Sequence, residues 1–500
     1  MRSGIDIIKM RKWARRPSSF KQRKQKRKNH MKDRIVQRKE HMTDQINRLP
    51  DEILIAILSL LTLKEAACTS ILSRRWRYLW RYITGSLNFD SKTLRAPAED
   101  TSSVELERLR YVSWVNDVLK LHRGTCIDEM KISFDFQSHY PRDISDWIKF
   151  AMEKGVQRFE LDVSLGTWTC FYQSYDFPSM EKFKILPSSN TLKYRTSHGH
   201  HVSRTVGSSG FRSLTALRLV SVNIKEEVLE NFLSNCPFLE QLCVVGSICL
   251  VNLKIAGPSL KLKCLEICNC QKLENLEVSA INLVSFTYIG PDTSVTFRNV
   301  PLLSELSIGG EYHSSVVSGS WKHSSYFPQI KKLKLILSTE DLIRMPICLP
   351  ELSNVKQVEL VIRGPAGRSL ICCTSVIKAS PNLSKFSVWL NLYPISRETL
   401  NIRQEIDKLM SWDGASADNY EKKYTKCHHQ CLKVVELVGF VGSRKEIDLL
   451  LHLIEIAASL EKIIIDPRPT FYPAKIMEPA RKRAEWLKTR LPATIELVIL

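Results

Sequence analysis

The stretch Leu262-Lys-Cys-Leu-Glu-Ile-Cys-Asn-Cys270 carries the pattern that decides the fold of this 500-residue chain. Leu265 and Ile267 alternate with Cys264, Glu266 and Cys268. Alternation of this kind turns one face of a short β-strand towards a core and leaves the other face outside. The stretch therefore predicts a short, half-buried strand.

The same step, an apolar residue followed three and five positions later by two more, occurs thirteen times. Its occurrences begin at Ile127, Val156, Met180, Leu214, Leu239, Leu262, Leu283, Leu303, Ile330, Val355, Leu383, Leu432 and Leu460. Most intervals lie near the roughly 20–29 residues of leucine-rich repeats. The interval of 49 residues before Leu432 indicates a degenerate repeat or an insertion around residues 391–428. Since one repeat cannot bury its strand alone, the ladder predicts stacked repeats with a shared core.

Helical returns are expected between the strands. Glu226 to Asn235 is the clearest, with inward-facing residues at Val228, Leu229, Phe232 and Leu233. Pro237 then disfavours further helix before it. These features predict an α/β leucine-rich-repeat solenoid, and Cys270 stands where such repeats favour Asn or Cys, which predicts a structural cysteine.

A compact helical module precedes the repeats, over residues 44–84. Pro50 suits the first position of a helix, and Asp51 and Glu52 suit the positive end of its dipole. One predicted face of this helix carries Ile53, Ile57 and Leu60, and the adjoining face carries Leu54, Leu58 and Leu61. Thr62 and Glu65 predict a capping box for a second helix, and a third is expected from about Ser73 to Arg81.

Three short helices cannot bury so many Leu, Ile and Trp side chains among themselves. Either the excess apolar surface binds a different protein, or it packs against the remainder of the chain. The sequence pattern alone leaves both alternatives open.

The module resembles the F-box of plant F-box proteins, through Leu49-Pro-Asp-Glu-Ile-Leu54, the Ile57-Leu-Ser59 step and Leu72-Ser-Arg-Arg-Trp-Arg-Tyr-Leu-Trp80. The resemblance implies that this module binds the Skp-type adaptor of an SCF ubiquitin ligase, and a cullin through it. The implied adaptor-binding residues are Leu49, Pro50, Ile53, Leu54, Ile57, Leu58, Trp76, Leu79 and Trp80. The stretch Cys431 to Phe440, with Glu446 to Leu460 and Ile463 to Ile465, resembles the FBD motif that ends many plant F-box/leucine-rich-repeat proteins.

The net charge of +21 is concentrated at the N-terminus, where residues 1–42 hold 16 Lys or Arg against three Asp or Glu. So many like charges predict a disordered tail over residues 1–43. The tail is a candidate nuclear-import signal, a candidate phosphate-binding arm, or an extension without a task. The import candidates are Arg15, Arg16, Lys24, Lys26, Arg27 and Lys28.

Metal and catalytic sites are not indicated. Cys264, Cys268 and Cys270 are explained by strand and repeat positions, and Cys427, His428, His429 and Cys431 lie too close together for paired zinc knuckles. We also find no phosphate-binding loop, dinucleotide fingerprint, nucleophile elbow or zinc-protease motif. We therefore expect no cofactor, no metal and no enzymatic activity.

The sequence thus predicts a tail (1–43), an F-box (44–84), linker helices (85–120), leucine-rich repeats (121–420) and an FBD-like segment with the final repeats (421–500). The expected function is substrate recognition for an SCF-type ubiquitin ligase, with the repeats capturing a protein substrate. One alternative is a nuclear scaffold that associates with nucleic acid or chromatin through the tail, and only the tail supports it. The other alternative is a small-molecule sensor. No stretch is apolar enough to span a membrane, no signal peptide is evident, and the cysteines suit a reducing compartment, so we expect the nucleus, the cytoplasm or both.

Overall fold

One long parallel β-sheet organises the computed structural model of this chain. The structure describes residues 46–90, 101–134, 136, 140–164, 175–178, 211–257, 260–311, 327–344, 351–393, 428–472 and 474–500. The predicted basic tail and its import candidates lie outside these residues, as does Cys427.

The helical module comes first. Its helices are α1 (Asp51–Ser59), α2 (Leu63–Cys68) and α3 (Trp76–Leu79), with 3-10 turns at Ile46–Arg48, Thr69–Ile71 and Trp80–Tyr82. The predicted capping box of α2 is confirmed: the Thr62 hydroxyl accepts a hydrogen bond from the Glu65 N–H, and the Glu65 carboxylate accepts one from the Thr62 N–H.

Two details of this module differ from the prediction. Pro50 precedes α1 as its N-cap instead of opening it, because its ψ of 154° is extended. The third helix is a single α-turn followed by a 3-10 turn, and the predicted start at Ser73 is wrong. Tertiary contacts, described below, hold this short segment more than its own helical hydrogen bonds do.

Fourteen strands of the described chain form the main sheet in the order β1, β2, β3, β5, β7, β9, β11, β13, β14, β15, β16, β17, β18, β19. Their bounds are β1 Ser86–Asp90, β2 Glu129–Ser133, β3 Arg158–Asp162, β5 Ala216–Val220, β7 Gln241–Val245, β9 Cys264–Cys268, β11 Ser285–Gly290, β13 Glu305–Gly310, β14 Lys332–Ser338, β15 Gln357–Pro365, β16 Lys385–Tyr393, β17 Val434–Val438, β18 Lys462–Asp466 and β19 Glu496–Ile499.

The repeated step sets the register in which neighbouring strands of this sheet pair. Leu265 and Ile267 of β9 pair with Leu242 and Val244 of β7, and the same two positions are buried on strand after strand. Twelve of the thirteen occurrences lie on strands β2 to β18, and the remaining one, at Met180, lies outside the described residues. The predicted α/β repeat architecture is confirmed.

The sheet is longer at both ends than the step predicts. β1 lies in the segment predicted as linker helices (85–120), so that prediction is wrong for residues 86–90; only one helix there, α4 (Thr101–Leu121), is described. The two apolar positions of β1, Leu87 and Phe89, are too few to be recognised as a repeat in the sequence. In the sheet they pair with Met130 and Ile132 of β2. β19 adds a final strand beside β18.

The 49-residue interval contributes no strand between its neighbours. β16 and β17 pair directly, with Phe386 opposite Val435 and Val388 opposite Leu437. Residues 394–427 lie outside the described residues, so the choice between a degenerate repeat and an insertion stays open there.

Helices and short strands cover one side of the sheet. The helices are α5 (Pro141–Glu153), α6 (Glu226–Asn235), α7 (Asp341–Arg344), α8 (Thr374–Ala379), α9 (Arg444–Ile456) and α10 (Met477–Leu487). Further 3-10 turns lie at Phe327–Gln329, Ile371–Cys373, Ala474–Ile476 and Lys488–Arg490. Helix α6 has the predicted bounds and buries the four predicted residues.

Some returns are strands instead of helices. β8 (Asn252–Ala256), β10 (Asn275–Ser279) and β12 (Ser294–Asn299) form a second parallel sheet, and β4 (Tyr175–Asp176) pairs with β6 (Val222–Asn223). Steps of 20 to 23 residues leave too little chain for a packed helix, so Leu253, Leu276 and their neighbours cover the core from extended backbone.

The last helices rest on a buried carboxylate. Ser443 caps α9, and the Glu446 carboxylate accepts hydrogen bonds from the N–H groups of Val441, Gly442 and Ser443 at 3.0, 2.8 and 3.2 Å. Burial raises the pKa of Glu446 to about 7, against the N–H bonds, which lower it. Arg483 of α10 donates to the Val441 carbonyl at 2.9 Å, which ties α10 to the same turn.

Among the described residues, no helix combines the length and the apolar character that a membrane crossing requires.

Two leucines of the helical module should respond differently to truncation. Leu58 is 0% exposed, whereas Leu60 is 87% exposed. We expect Leu58→Ala to destabilise the module by about 2–5 kcal/mol, because it opens a cavity. Leu60→Ala should change stability by no more than about 0.5 kcal/mol. Native-state hydrogen exchange of the α1 amides measures both effects, and equal protection in the two variants would contradict this placement of the core.

Candidate functional site

The helical module exposes a set of large apolar side chains, which we call the outer apolar surface. Its members are Ile53, Ile57, Leu60, Ile71, Leu72, Tyr78 and Tyr82. Leu60 and Ile71 are the most exposed, at 87% and 88%. The face of α1 that carries Ile53 and Ile57 is thus turned to solvent, while the adjoining face is buried.

The structure divides the nine predicted adaptor-binding residues. Pro50, Ile53 and Ile57 are exposed, and Leu49 and Trp80 are half-buried against the core. The remaining four, Leu54, Leu58, Trp76 and Leu79, are at most 6% exposed. These four form the core that supports the outer apolar surface, and their predicted contact with the adaptor stays a prediction.

The predicted set left out five exposed apolar residues of this surface: Leu60, Ile71, Leu72, Tyr78 and Tyr82. The prediction followed the apolar positions that recur most regularly in the motif, and apolar residues at regular helical spacing usually face a core. The signal that could have found Leu60 was available: it shares the face of Ile53 and Ile57, next to the face of Leu54 and Leu58.

Arg75 fixes the start of α1 against α3. Its guanidinium Nε donates to Asp51 Oδ1 at 2.7 Å, Nη2 donates to the Leu49 carbonyl at 2.6 Å, and Nη1 donates to the Asn47 carbonyl. Beside it, Trp76 Nε1 donates to Asn47 Oδ1 at 2.6 Å. These tertiary hydrogen bonds explain how a helix of a single turn can hold the module together.

The module is joined to the sheet at the end of α4. The Arg81 carbonyl accepts hydrogen bonds from the N–H groups of Arg123 and Gly124, and His122 Nε2 lies 2.9 Å from the Ile83 carbonyl oxygen. Burial lowers the pKa of His122, which favours the neutral ring that donates this bond. Part of the module's apolar surface therefore packs within the chain, and the outer apolar surface is what remains.

The side of the main sheet that faces away from the helices is the second candidate surface. Its central residues form one line across the strands, which we call the polar row. The members on strands β2 to β17 are Lys131, Glu160, Arg218, Cys243, Glu266, Thr287, Ser307, Lys334, Glu359, Ser387 and Glu436.

Ion pairs connect the polar row from strand to strand. Glu160 lies 3.0 Å from Lys131 Nζ and 3.8 Å from Arg218 Nε. Arg218 Nη1 then reaches Glu266 Oε2 at 3.3 Å, across the intervening strand. Further along, Lys334 pairs with Glu359 at 2.5 Å, and the polar row consequently neutralises most of its own charge.

Cys243 lies within this network as a neutral thiol. Its Sγ accepts from Arg218 Nη1 at 2.8 Å and donates to Glu266 Oε2 at 3.1 Å. Burial, and then the adjacent Glu266 carboxylate, raise the pKa of Cys243. A thiol held in its protonated form is a poor nucleophile.

Two residues further along each strand, the same side of the sheet is apolar. We call this line the apolar stripe; it crosses nine adjacent strands from β5 to β17. Its members are Val220, Val245, Cys268, Ile289, Gly309, Ile336, Val361, Trp389 and Val438. The register continues at the two ends to Asp162 and Asp466, which bound the stripe.

Aromatic side chains lie at one end of the apolar stripe. Trp389 is 41% exposed, and Lys334 Nζ lies 6.0 Å from its ring centroid. Tyr393 and Phe471 are also exposed, with ring centroids 6.2 Å apart in an edge-to-face arrangement. Exposed aromatic residues of this kind are common anchors in protein interfaces.

His429 has a structural role at the turn before β17. His429 Nδ1 accepts hydrogen bonds from the N–H groups of Cys431 and Leu432, at 3.3 and 3.0 Å. Because these donors leave Nδ1 unprotonated, Nε2 carries the proton and donates to the Ser380 carbonyl at 2.8 Å. Both ring nitrogens are occupied, and within the described ranges no group of three or more His, Cys, Asp or Glu residues could hold a metal ion.

A short helical module with an exposed apolar surface, continuous with a parallel sheet of repeats, defines an F-box domain followed by leucine-rich repeats. The F-box domain model matches residues 46–84, and the model described as "At1g61320/AtMIF1, LRR domain" matches residues 118–485. The chain belongs to this family of F-box/leucine-rich-repeat proteins, as its sequence motifs indicated.

The related proteins come from Arabidopsis thaliana. F-box/LRR-repeat protein At2g42730 is 26% identical over 442 residues, which cover 84% of this chain and 90% of that protein. F-box/FBD/LRR-repeat protein At1g13570 is 23% identical with the same coverage. FBD-associated F-box protein At4g10400 is 30% identical over 273 residues, 53% of this chain and 60% of that protein. These relatives confirm the predicted resemblance to plant proteins with an FBD segment.

Truncation of His429 should destabilise the C-terminal repeats without any involvement of a metal. We expect His429→Ala to lower the free energy of unfolding by about 2–3 kcal/mol, because two backbone N–H groups and one carbonyl lose a buried partner. A zinc chelator should leave the melting temperature of the unmodified chain unchanged. Scanning calorimetry checks both statements, and a fall in melting temperature on chelation would contradict this account of His429.

Proposed function

We propose that this chain is a non-catalytic, substrate-recognition subunit of an SCF-type ubiquitin ligase. The F-box binds a Skp-type adaptor, and through it a cullin, while the repeat sheet captures a protein substrate. In general terms, the F-box and the leucine-rich repeats support this role. The observation that carries the proposal is the outer apolar surface, which the chain leaves uncovered although it buries the adjoining face of α1.

The exposed side chains are large enough to sustain a specific interface. Fully burying one Leu or Ile side chain contributes about 1.5–3 kcal/mol. Leu60 and Ile71, both almost fully exposed, thus offer several kcal/mol to a partner that covers them. Beneath them, Leu54 and Leu58 keep α1 in place, and Arg75 fixes its first turn. A rigid presentation of this kind limits the entropy lost on binding.

The repeats supply the second binding surface. The polar row and the apolar stripe lie on the side of the sheet that no described helix covers. The half-buried Ile289 and Ile336 and the exposed Trp389 are the parts of the stripe that a substrate could reach. Holding that substrate near the ubiquitin-loaded enzyme raises its effective concentration to about the millimolar range when the span is well matched. Ubiquitin transfer then requires no catalytic side chain from this chain.

A charge on the outer apolar surface should abolish adaptor binding. We expect Leu60→Lys combined with Ile71→Lys to weaken binding to a purified Skp-type adaptor on the order of a thousandfold, since each anchor is worth about 2 kcal/mol or more. Surface plasmon resonance with the full chain measures the effect, and an unchanged melting temperature shows that the fold is intact.

The matched control is Leu302→Lys, which adds the same charge at a leucine of the repeats that is 55% exposed. This variant should bind the adaptor as the unmodified chain does. Equal affinities for all three proteins would overturn the docking role of the F-box.

We also propose that the basic tail brings the chain into the nucleus. The proposal rests on the two clusters that contain Arg15, Arg16, Lys24, Lys26, Arg27 and Lys28. Deletion of residues 1–43 should shift a fluorescent fusion of the chain towards the cytoplasm. A second variant replaces the same six residues with Gln, which keeps the length of the tail, and it should shift in the same direction. An unchanged distribution in both variants would end the proposal.

A further inference from the structure

We infer that the substrate segment is an extended peptide that lies along the apolar stripe, with apolar side chains at alternate positions and an acidic group that pairs with Arg363. This inference rests on the proposed function and identifies the chemistry of the captured segment. Its observations come from the solvent side of the main sheet, between β5 and β17.

The apolar stripe is not required by the core of the repeats. The core lies on the opposite side of the sheet and is already supplied by the repeated step, as with Leu265 and Ile267. Cys243, Val245 and Cys268 form a separate hydrophobic cluster. Val245, Cys268, Gly309 and Val361 are buried among their neighbours, whereas Val220, Ile289, Ile336 and Val438 are half-buried and Trp389 is exposed. The accessible members of the stripe are not needed by the core on the opposite side of the sheet, and an accessible apolar surface usually marks a binding site.

The middle of the stripe forms the floor of a depression. Val245, Ile289 and Ile336 line it together with Glu266 and Arg363. Ile336 closes over Gly309, since a Cβ at position 309 would lie 2.8 Å from the Cβ of Ile336. A side chain of the partner would therefore rest on Ile289 and Ile336 and would not enter between them.

The charges beside the stripe indicate that the partner is not a polyanion. In the polar row, Lys131 and Arg218 are neutralised by Glu160 and Glu266, and Lys334 is paired with Glu359. A polyanion such as a nucleic acid needs several uncommitted cations along its path. The polar row does not provide them, and a segment with little net charge fits this side of the sheet better.

Two cations of this depression, Lys332 and Arg363, make no ion pair within the described part of the chain. Lys332 is half-buried, whereas Arg363 is exposed and is better placed to meet a partner. Arg363 lies two residues beyond Val361 of the stripe, in register with Ser338 and Asn391, which are both uncharged. One carboxylate on the partner, placed beside an apolar residue, would complete this site.

The dimensions favour an extended peptide over a helix. Nine strands about 4.8 Å apart span about 38 Å, which about 11 residues of extended chain can follow. The stripe is one side chain wide, whereas a helix is about 10–12 Å across and would press onto the polar row. An extended peptide directs alternate side chains to one side, and these can reach the floor. Trp389 and Tyr393 provide aromatic contacts near Arg363.

A randomised peptide library tests this inference. The full-length chain, bound to its purified adaptor, selects from displayed peptides of about 12 random residues, a length that covers the stripe. We expect the enriched peptides to carry apolar residues at alternate positions and Asp or Glu towards one end. The best of them are then synthesised, and their affinities are measured by fluorescence anisotropy.

Three variants locate the binding surface. Ile336→Lys places a charge in the floor and should weaken the selected peptides about tenfold or more. Thr296→Lys adds the same charge at an exposed strand residue of the second sheet and should leave their affinity unchanged. Arg363→Glu should reverse the preference, so that peptides with Lys in place of the acidic residue bind best.

Two results would overturn the inference: enriched peptides without alternation or with runs of acidic residues, or equal losses for Ile336→Lys and Thr296→Lys. A loss of alternation with intact adaptor binding removes this inference and leaves the proposed function standing. Failure to bind the adaptor at all removes the proposed function itself. An intact melting temperature for each variant shows that a loss of peptide binding is not a loss of fold.

Discussion

The structure depends on the register in which parallel strands pair. Leu265 and Ile267 face the core only because they stand opposite Leu242 and Val244, and a shift by one residue would turn every apolar side chain of the strand outward. The same register builds both surfaces of the sheet. Because the core positions coincide on every strand, the intervening positions coincide as well, and they form the polar row and the apolar stripe.

In the F-box, too, neighbouring residues of one element serve either the core or the exposed surface. Leu54 and Leu58 are buried, whereas Ile53 and Ile57, one position before each of them, are exposed. A helix only 9 residues long can therefore support the fold on one face and offer a binding surface on the other. Arg75, with bonds to Asp51 and the Leu49 carbonyl, compensates for the shortness of the helices. Stability and recognition thus rest on different side chains of one element.

The F-box and the repeat sheet are joined by continuous packing. β1 follows the F-box directly and pairs with β2. The helical module is therefore connected to the repeat sheet through a strand of that sheet and not through a separate linker. His122 and the Arg81 carbonyl reinforce this junction through buried hydrogen bonds. In the proposed ligase, a rigid junction of this kind would fix the distance between the adaptor and the captured substrate, which is the quantity that governs effective concentration.

The sequence by itself determined the repeat architecture, twelve of the strands, the α6 return and the capping box at Thr62, because each depends on local periodicity or on a contact within a few residues. Only the tertiary structure decided that Leu54, Leu58, Trp76 and Leu79 are core, that β1 joins the sheet, and that Val245, Ile289 and Ile336 align in one stripe. Helical periodicity separates two apolar faces but does not say which one is covered. Alignment between strands depends on residues some 20 or more positions apart in the sequence, and only pairing brings them together.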